Sequence, residues 1–169
     1  MPIVSQPASV NLQAARRASA LRYAQLGCDL LATIGLDQPT RLRNTLSGRA
    51  GRRRDGSISL ACPWPTTTRR RLYIAAHEVA HIVLHYRVDG TRIRQLRHVE
   101  EYEAEQWAHR WLREHGVAVP RKETDRAKLY VRAKITRAIK NGAKTIDPAA
   151  AKYAGMPARL FPAKSAVEE

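Results

Sequence analysis

One helical pattern, over residues 69–86, constrains the fold more than any other feature of this sequence. Apolar residues recur there at steps of three and four and cover most of the helix surface, and the threonines at 66–68 offer hydroxyl groups for its N-cap. These apolar residues are Leu72, Ile74, Ala75, Val79, Ile82 and Val83. Because so broad an apolar surface has to be buried, we predict a central helix with the core built around it.

Weaker patterns place the other elements around this helix. Apolar spacing and turn residues predict helices over 11–33 (with Asn11 as N-cap), 99–114, 120–140 and 147–154. Period-two alternation over 40–46 and a short apolar run over 57–62 predict two strands, joined into an antiparallel hairpin by a basic turn over 48–56. The stretch 91–98 fits either a short strand or an irregular connection.

These elements predict an α+β fold. We expect a helix-rich single domain over residues 11–154, with a small antiparallel sheet packed beside the 69–86 helix, since 169 residues suit one core better than two. Residues 1–10 are expected to be a flexible N-terminus, and residues 155–169 a C-terminal tail.

The formal charge of +15 is concentrated outside the central third of the chain. Residues 61–120 hold nine Lys or Arg against seven Asp or Glu, whereas residues 121–169 hold twelve against five. A basic surface attracts polyanions, so non-specific contact with nucleic acid through the basic flanks is one expectation, and a merely solvated charged surface is the alternative.

The cellular compartment of the protein is predicted from two further features of the sequence. No segment approaches the length and apolarity of a membrane span, so no membrane partner is expected. The two cysteines, Cys28 and Cys62, fit neither a zinc ribbon nor a disulfide framework. Cytoplasmic residence is therefore expected.

The residues most suggestive of chemistry lie inside the 69–86 helix. His77 and His81 are four residues apart and therefore project from one face, where two imidazole nitrogens can bind one metal ion. Glu78 is one step round the helix and can reach the open side of that ion. Zinc with two histidines, one carboxylate and a water is a hydrolytic site in which Glu78 acts as general base.

A third zinc ligand is expected from the start of the next helix, where four acidic residues lie. Spacing alone leaves Glu100, Glu101, Glu103 and Glu105 open. Of the remaining histidines, His109 is the candidate for a further catalytic role, in oxyanion stabilisation or ligand orientation, although a lone histidine is more often a surface or core residue.

Two segments carry a family resemblance. The first reads His-Glu-Val-Ala-His-Ile-Val-Leu-His over 77–85, and the second reads Glu-Tyr-Glu-Ala-Glu-Gln-Trp-Ala over 101–108. Together they resemble the ImmA/IrrE family of metallopeptidases, whose second motif is Glu-x-Glu-Ala-Asn-x-Phe-Ala. The resemblance implies zinc bound by His77, His81 and Glu103, with Glu78 as catalytic base. Glu105 and Trp107 depart from the family's Asn and Phe.

The resemblance also implies a substrate, because members of the family cleave DNA-binding repressors. The first hypothesis is therefore a zinc-dependent endopeptidase that hydrolyses a specific protein, in particular a transcriptional repressor or regulator. The second is a basic DNA-binding or anti-restriction accessory protein of a mobile element, with a structural or vestigial zinc site. A third combines them, in a protease that clears proteins from DNA as SprT-like enzymes do.

Overall fold

The computed structural model describes residues 8–157 and confirms the α+β fold class, with five helices and a small three-stranded sheet in this part of the chain. Residues 1–7 and 158–169, which hold most of the predicted N-terminus and tail, lie outside the described part. The elements in chain order are α1 (Ala8–Ala32), β1 (Arg41–Leu42), β2 (Arg49–Arg52), β3 (Ile58–Cys62), α2 (Arg69–His85), α3 (Arg97–Glu114), α4 (Arg121–Lys140) and α5 (Pro148–Tyr153). No helix within 8–157 is long and apolar enough to cross a membrane.

Helix α2 is the central element, as its apolar pattern predicts. The Thr68 hydroxyl caps it by accepting a hydrogen bond from the Arg71 amide. Leu72, Val79 and Ile82 are buried in the main core, against α1, the sheet and α3. Each such side chain contributes about 1.5–3 kcal/mol by leaving water, so α2 is held firmly between the layers on its two sides.

The sheet differs from the predicted hairpin. Its order is β1-β3-β2, in which β1 is parallel and β2 antiparallel to β3. The antiparallel partner of β3 is thus Arg49–Arg52, which lies within the predicted turn, and the predicted 40–46 strand is reduced to two residues. The actual turn is tighter, over 53–57, where Gly56 has a positive φ of 81° and the Asp55 carboxylate accepts from the Ser57 amide.

The first strand is short because its partner ends. Leu42 pairs with Cys62, the last residue of β3, and Pro63 follows it. Before β1, the Thr40 hydroxyl donates to the Leu60 carbonyl at 2.9 Å and accepts from the Leu60 amide at 2.8 Å, in place of a backbone partner. Strand β2 is the edge strand on the other side of β3, and it packs against α2.

Helices α3, α4 and α5 enclose a second, smaller core. Val131 and Ile135 of α4 pack there with Ile146 and Ala150 near α5. His98 at the start of α3 is buried and its Nε2 accepts a hydrogen bond from the Asp147 amide at 3.3 Å, so it links α3 to the N-terminus of α5.

Several helix bounds differ from the predictions. Helix α1 begins at Ala8, so Asn11 lies inside it and is not its N-cap, and α3 begins at Arg97, two residues before the predicted start. The undecided stretch 91–98 is irregular apart from an isolated antiparallel bridge between Tyr86 and Arg92 and the first residues of α3.

Candidate metal centre

Helices α2 and α3 run antiparallel along the site, as their contacts show. Going down α2, His85 lies beside Glu100, His77 beside Glu101 and Glu105, and Tyr73 beside Glu105. Successive turns of α2 therefore meet successive turns of α3 in reverse order. This packing brings the acidic start of α3 against the histidine face of α2.

Three atoms converge at the centre of this interface. The Nε2 atoms of His77 and His81 lie 3.2 Å apart, and Glu101 Oε2 lies 3.4 Å from the first and 3.5 Å from the second. The three residues form a group that could hold a metal ion. The triangle is nearly equilateral, with each corner a nitrogen or oxygen that can donate a lone pair.

The dimensions of the triangle fit zinc. Bonds of about 2.0–2.1 Å to a tetrahedral ion separate neighbouring ligand atoms by about 3.3–3.4 Å. The three distances of 3.2, 3.4 and 3.5 Å lie around this value. Two imidazoles and one carboxylate are also the ligand set of catalytic zinc sites that keep a fourth position for water.

Glu103, the third ligand that the resemblance implies, does not belong to this triangle. Its carboxylate lies 3.8 Å from His85 Nδ1, and its side chain is 39% exposed. Two residues along a helix turn the side chain by about 200°, so Glu103 and Glu101 cannot face the same point. The structure thus brings together Glu101, one of the alternatives that spacing leaves open, with His77 and His81.

Glu100 is also directed elsewhere. Its buried carboxylate lies 2.6 Å from Arg92 Nη2 and 3.0 Å from Arg97 Nη1. It ties the irregular 91–96 segment to the start of α3. Arg97 contacts Glu101 as well, through Nη2 at 2.7 Å from Oε1, which leaves Oε2 of that carboxylate directed at the histidines.

Behind the triangle, Glu105 holds His77 from its other side. Glu105 is completely buried, and its Oε2 accepts from the Tyr73 hydroxyl at 2.5 Å and lies 3.4 Å from His77 Nδ1. A carboxylate at the second nitrogen of a metal-binding histidine fixes the orientation of the ring. The sequence analysis does not predict that Tyr73 and Glu105 orient His77. The available signal is their spacing, since Tyr73 is four residues from His77 and Glu105 is four residues from Glu101.

His109, the further catalytic candidate, is two contacts away from the triangle. Its Nε2 lies 2.7 Å from Glu105 Oε1, and it is not among the residues that line the cavity in front of His77. The structure therefore supports a positioning role for His109 through Glu105. His98 and His115 lie elsewhere: the first at α5, and the second stacked on Trp111.

The electrostatics of the site favour a positive charge at its centre. Burial alone would raise the pKa of Glu101, but the contacts with His77 and His81 outweigh it and lower that pKa. For His77, burial opposes protonation, yet Glu101 and Glu105 together raise its pKa to about 10. The two buried carboxylates thus favour a positive charge at His77, and in such an environment a metal ion can take the place of a proton.

Glu78 and the three residues of the triangle line the same cavity, which measures about 660 Å³ and lies between α2, the β1–β2 loop and α4. Burial raises its pKa to about 7. Its side chain packs against Gly48, where an added Cβ atom would overlap the Glu78 side chain. A glycine in the β1–β2 loop is therefore what allows Glu78 to lie where it does.

Comparison of the chain with protein-family models, with curated proteins and with solved structures finds no match.

Proposed function

We propose that this protein is a zinc-dependent endopeptidase in which His77, His81 and Glu101 hold the metal and Glu78 is the general base. The observation that carries the proposal is the triangle of two Nε2 atoms and one carboxylate oxygen, with sides of 3.2 to 3.5 Å, on the wall of a cavity that also contains Glu78. When bound, zinc supplies Lewis-acid activation of water and of a peptide carbonyl at neutral pH.

The remaining steps belong to side chains of this chain. Glu78 takes the proton of the attacking water and delivers it to the leaving amine. Glu105, braced by Tyr73 and His109, keeps the His77 ring in the orientation that aims Nε2 at the metal. The free edge of β2 borders the same cavity and offers backbone groups with which an extended peptide can pair.

The substrate class rests on the resemblance to the ImmA/IrrE family described above. It supports a regulatory protein as substrate, in particular a DNA-binding repressor, and with it a cytoplasmic location.

The test is cleavage of fluorescently labelled casein and of a mass-spectrometry peptide library by zinc-loaded protein. We expect cleavage by the wild type, and a decrease of about 10²-fold or more in Glu78→Gln at unchanged zinc content. Glu103→Gln is the matched control, since it removes one carboxylate outside the triangle and should cleave normally. Full activity of Glu78→Gln would refute its role as base.

A second candidate function, nucleic-acid binding, is favoured by the outer face of α4. Lys122, Arg137 and Lys140 are exposed and lie opposite the face that buries Val131 and Ile135. Exposed cations on one side of a helix suit contact with the phosphate backbone of a duplex without base recognition.

These exposed cations predict a measurable salt dependence of nucleic-acid binding. Replacing Arg137 and Lys140 by Gln should reduce the magnitude of the negative slope of log binding constant against log salt concentration by about 1.8 for a labelled 20-base-pair duplex, because each lost phosphate contact removes about 0.9. The control Arg53→Gln/Arg54→Gln removes two charges from the β2–β3 turn. An equal slope in the α4 variant and the wild type would reject this candidate.

A further inference from the structure

The charges around the cavity are arranged in two layers. The carboxylates lie in its floor, where the side chains of Glu100, Glu101 and Glu123 are only 2%, 3% and 7% exposed. The guanidinium groups that contact them reach into solvent, and the side chains of Arg92, Arg97 and Arg126 are 47%, 52% and 63% exposed. A molecule that approaches the cavity therefore meets a cationic rim before it meets the acidic floor.

Two further arginines of the rim have no carboxylate partner within residues 8–157. Arg43, in the β1–β2 loop, donates to the neutral Ser47 hydroxyl at 2.9 Å, and Arg49 is an exposed residue at the start of β2. Neither forms an ion pair in the described part of the chain, although Arg43 is near enough to Glu78 to lower its pKa, whereas the three arginines above each have at least one. Their charge is therefore available to a ligand.

Both arginines also lie close to the proposed reaction centre. Arg49 directly follows Gly48, the residue against which Glu78 packs, and Arg43 precedes Gly48 by five residues in the same loop; both arginines line the cavity that contains Glu78. A side chain bound by either would belong to a residue near the bond that Glu78 addresses. Since a carboxylate is the side chain that arginine binds best, the position and the free charge point to one kind of ligand.

We propose that Arg43 and Arg49 select acidic peptide segments, with Asp or Glu close to the hydrolysed bond. Hydrolysis of such a segment rests on the proposed function, but its binding does not. A protein ligand fits this cavity better than a nucleic acid, because Leu46, Ala50 and Ile74 add apolar surface that suits peptide side chains.

Fluorescence anisotropy with two matched 12-residue peptides tests the proposal. Both have an Ala-Phe centre, flanked on each side by five Glu in one peptide and by five Gln in the other. Binding is measured to Glu78→Gln protein, which is expected not to cleave them, alone and combined with Arg43→Gln/Arg49→Gln. The matched control is Arg53→Gln/Arg54→Gln, which removes the same charge from exposed positions in the same hairpin, outside the cavity lining.

We expect the Glu peptide to bind more tightly than the Gln peptide. This preference should fall roughly 2- to 30-fold in Arg43→Gln/Arg49→Gln, as two exposed charge pairs allow, and should remain in the control. Equal binding of both peptides to the parent protein, or an equal loss in both double variants, would overturn the proposal. The proposal would also be overturned if Arg43→Gln/Arg49→Gln lost binding to a labelled 12-nucleotide single strand but kept its binding to the Glu peptide.

The binding result is independent of the peptidase activity. Preference for the Glu peptide in a protein that cleaves nothing would support the acidic-ligand proposal while the proposed function fails. Cleavage of both peptides at equal rates by the wild type would support the proposed function and overturn the acidic preference.

Discussion

The identity of the third metal ligand can be tested by removing one carboxylate of α3 at a time. Glu101, Glu103 and Glu105 lie within five residues on one helix, and each can be changed to Gln with nearly the same volume and the same loss of charge. Their distances to the metal centre differ: Glu101 Oε2 is 3.4 Å from His77 Nε2, Glu105 contacts only the Nδ1 side of His77, and Glu103 contacts His85. The three variants should therefore differ in zinc affinity.

The expected effects follow from these positions. Loss of the carboxylate that orients a metal-binding histidine through its second ring nitrogen typically weakens metal binding by about 10- to 100-fold, and this is the range we expect for Glu105→Gln. Glu101→Gln removes one of three protein ligands and should exceed about 100-fold. Glu103→Gln should stay within roughly 2-fold of the wild type, because its half-exposed carboxylate is outside the triangle.

The assay is competition for zinc against a chromophoric chelator at fixed pH, with circular dichroism to confirm that each variant is folded. The order of loss, Glu101 before Glu105 before Glu103, is the diagnostic result. If Glu103→Gln lost more affinity than Glu101→Gln, the register of α3 against α2 described here would be wrong, and the ligand set implied by the resemblance would be restored.

Three other perturbations are informative. Gly48→Ala should lower the rate of peptide cleavage on the order of 10²-fold at unchanged zinc content, since the added Cβ atom would displace Glu78. The control Gly51→Ala, whose Cβ atom would meet Tyr86 Oη at an ordinary 3.4 Å, should cleave at the wild-type rate. Equal cleavage rates in the two variants would contradict this role of Gly48. Burial lowers the pKa of His98, so the stabilisation from its contact with α5 is complete above the unfolded-state pKa of about 6.5 and is lost as pH falls below it. In urea unfolding of metal-free protein, His98→Gln should therefore lose less stability between pH 7.5 and pH 5.5 than the wild type does. An equal loss in both proteins would reject the linkage. Leu72→Ala, at a completely buried position of α2, should cost about 2–5 kcal/mol of unfolding free energy, and a cost below about 1 kcal/mol would mean that α2 is not the core helix.

The fold class and the close approach of the His77 and His81 side chains could be predicted because both depend on local patterns. The apolar spacing of α2 spans four turns, and the i, i+4 relation of His77 and His81 holds in any helix. The sheet was harder to predict, because β1 ends where its partner β3 ends and because the glycine and arginines of β2 resemble a turn. A strand end that is set by a partner distant in sequence leaves no periodic signal.

The third ligand could not be derived from the sequence alone. Four acidic residues within six positions satisfy the spacing equally well, and the choice depends on how α3 is rotated against α2. That rotation is set by long-range packing, including the contacts of Arg92 and Arg97 with Glu100. One local signal was nevertheless present: Glu101 and Glu105 are four residues apart and so share a face, from which Glu103 is excluded.

The most direct test of the metal centre is anomalous diffraction at the zinc absorption edge, from crystals of protein loaded with one equivalent of zinc. We expect one strong peak bounded by His77 Nε2, His81 Nε2 and Glu101 Oε2, with Glu78 beside its open side. A peak at other residues, a peak completed by Glu103, or no zinc bound at the two histidines would contradict it.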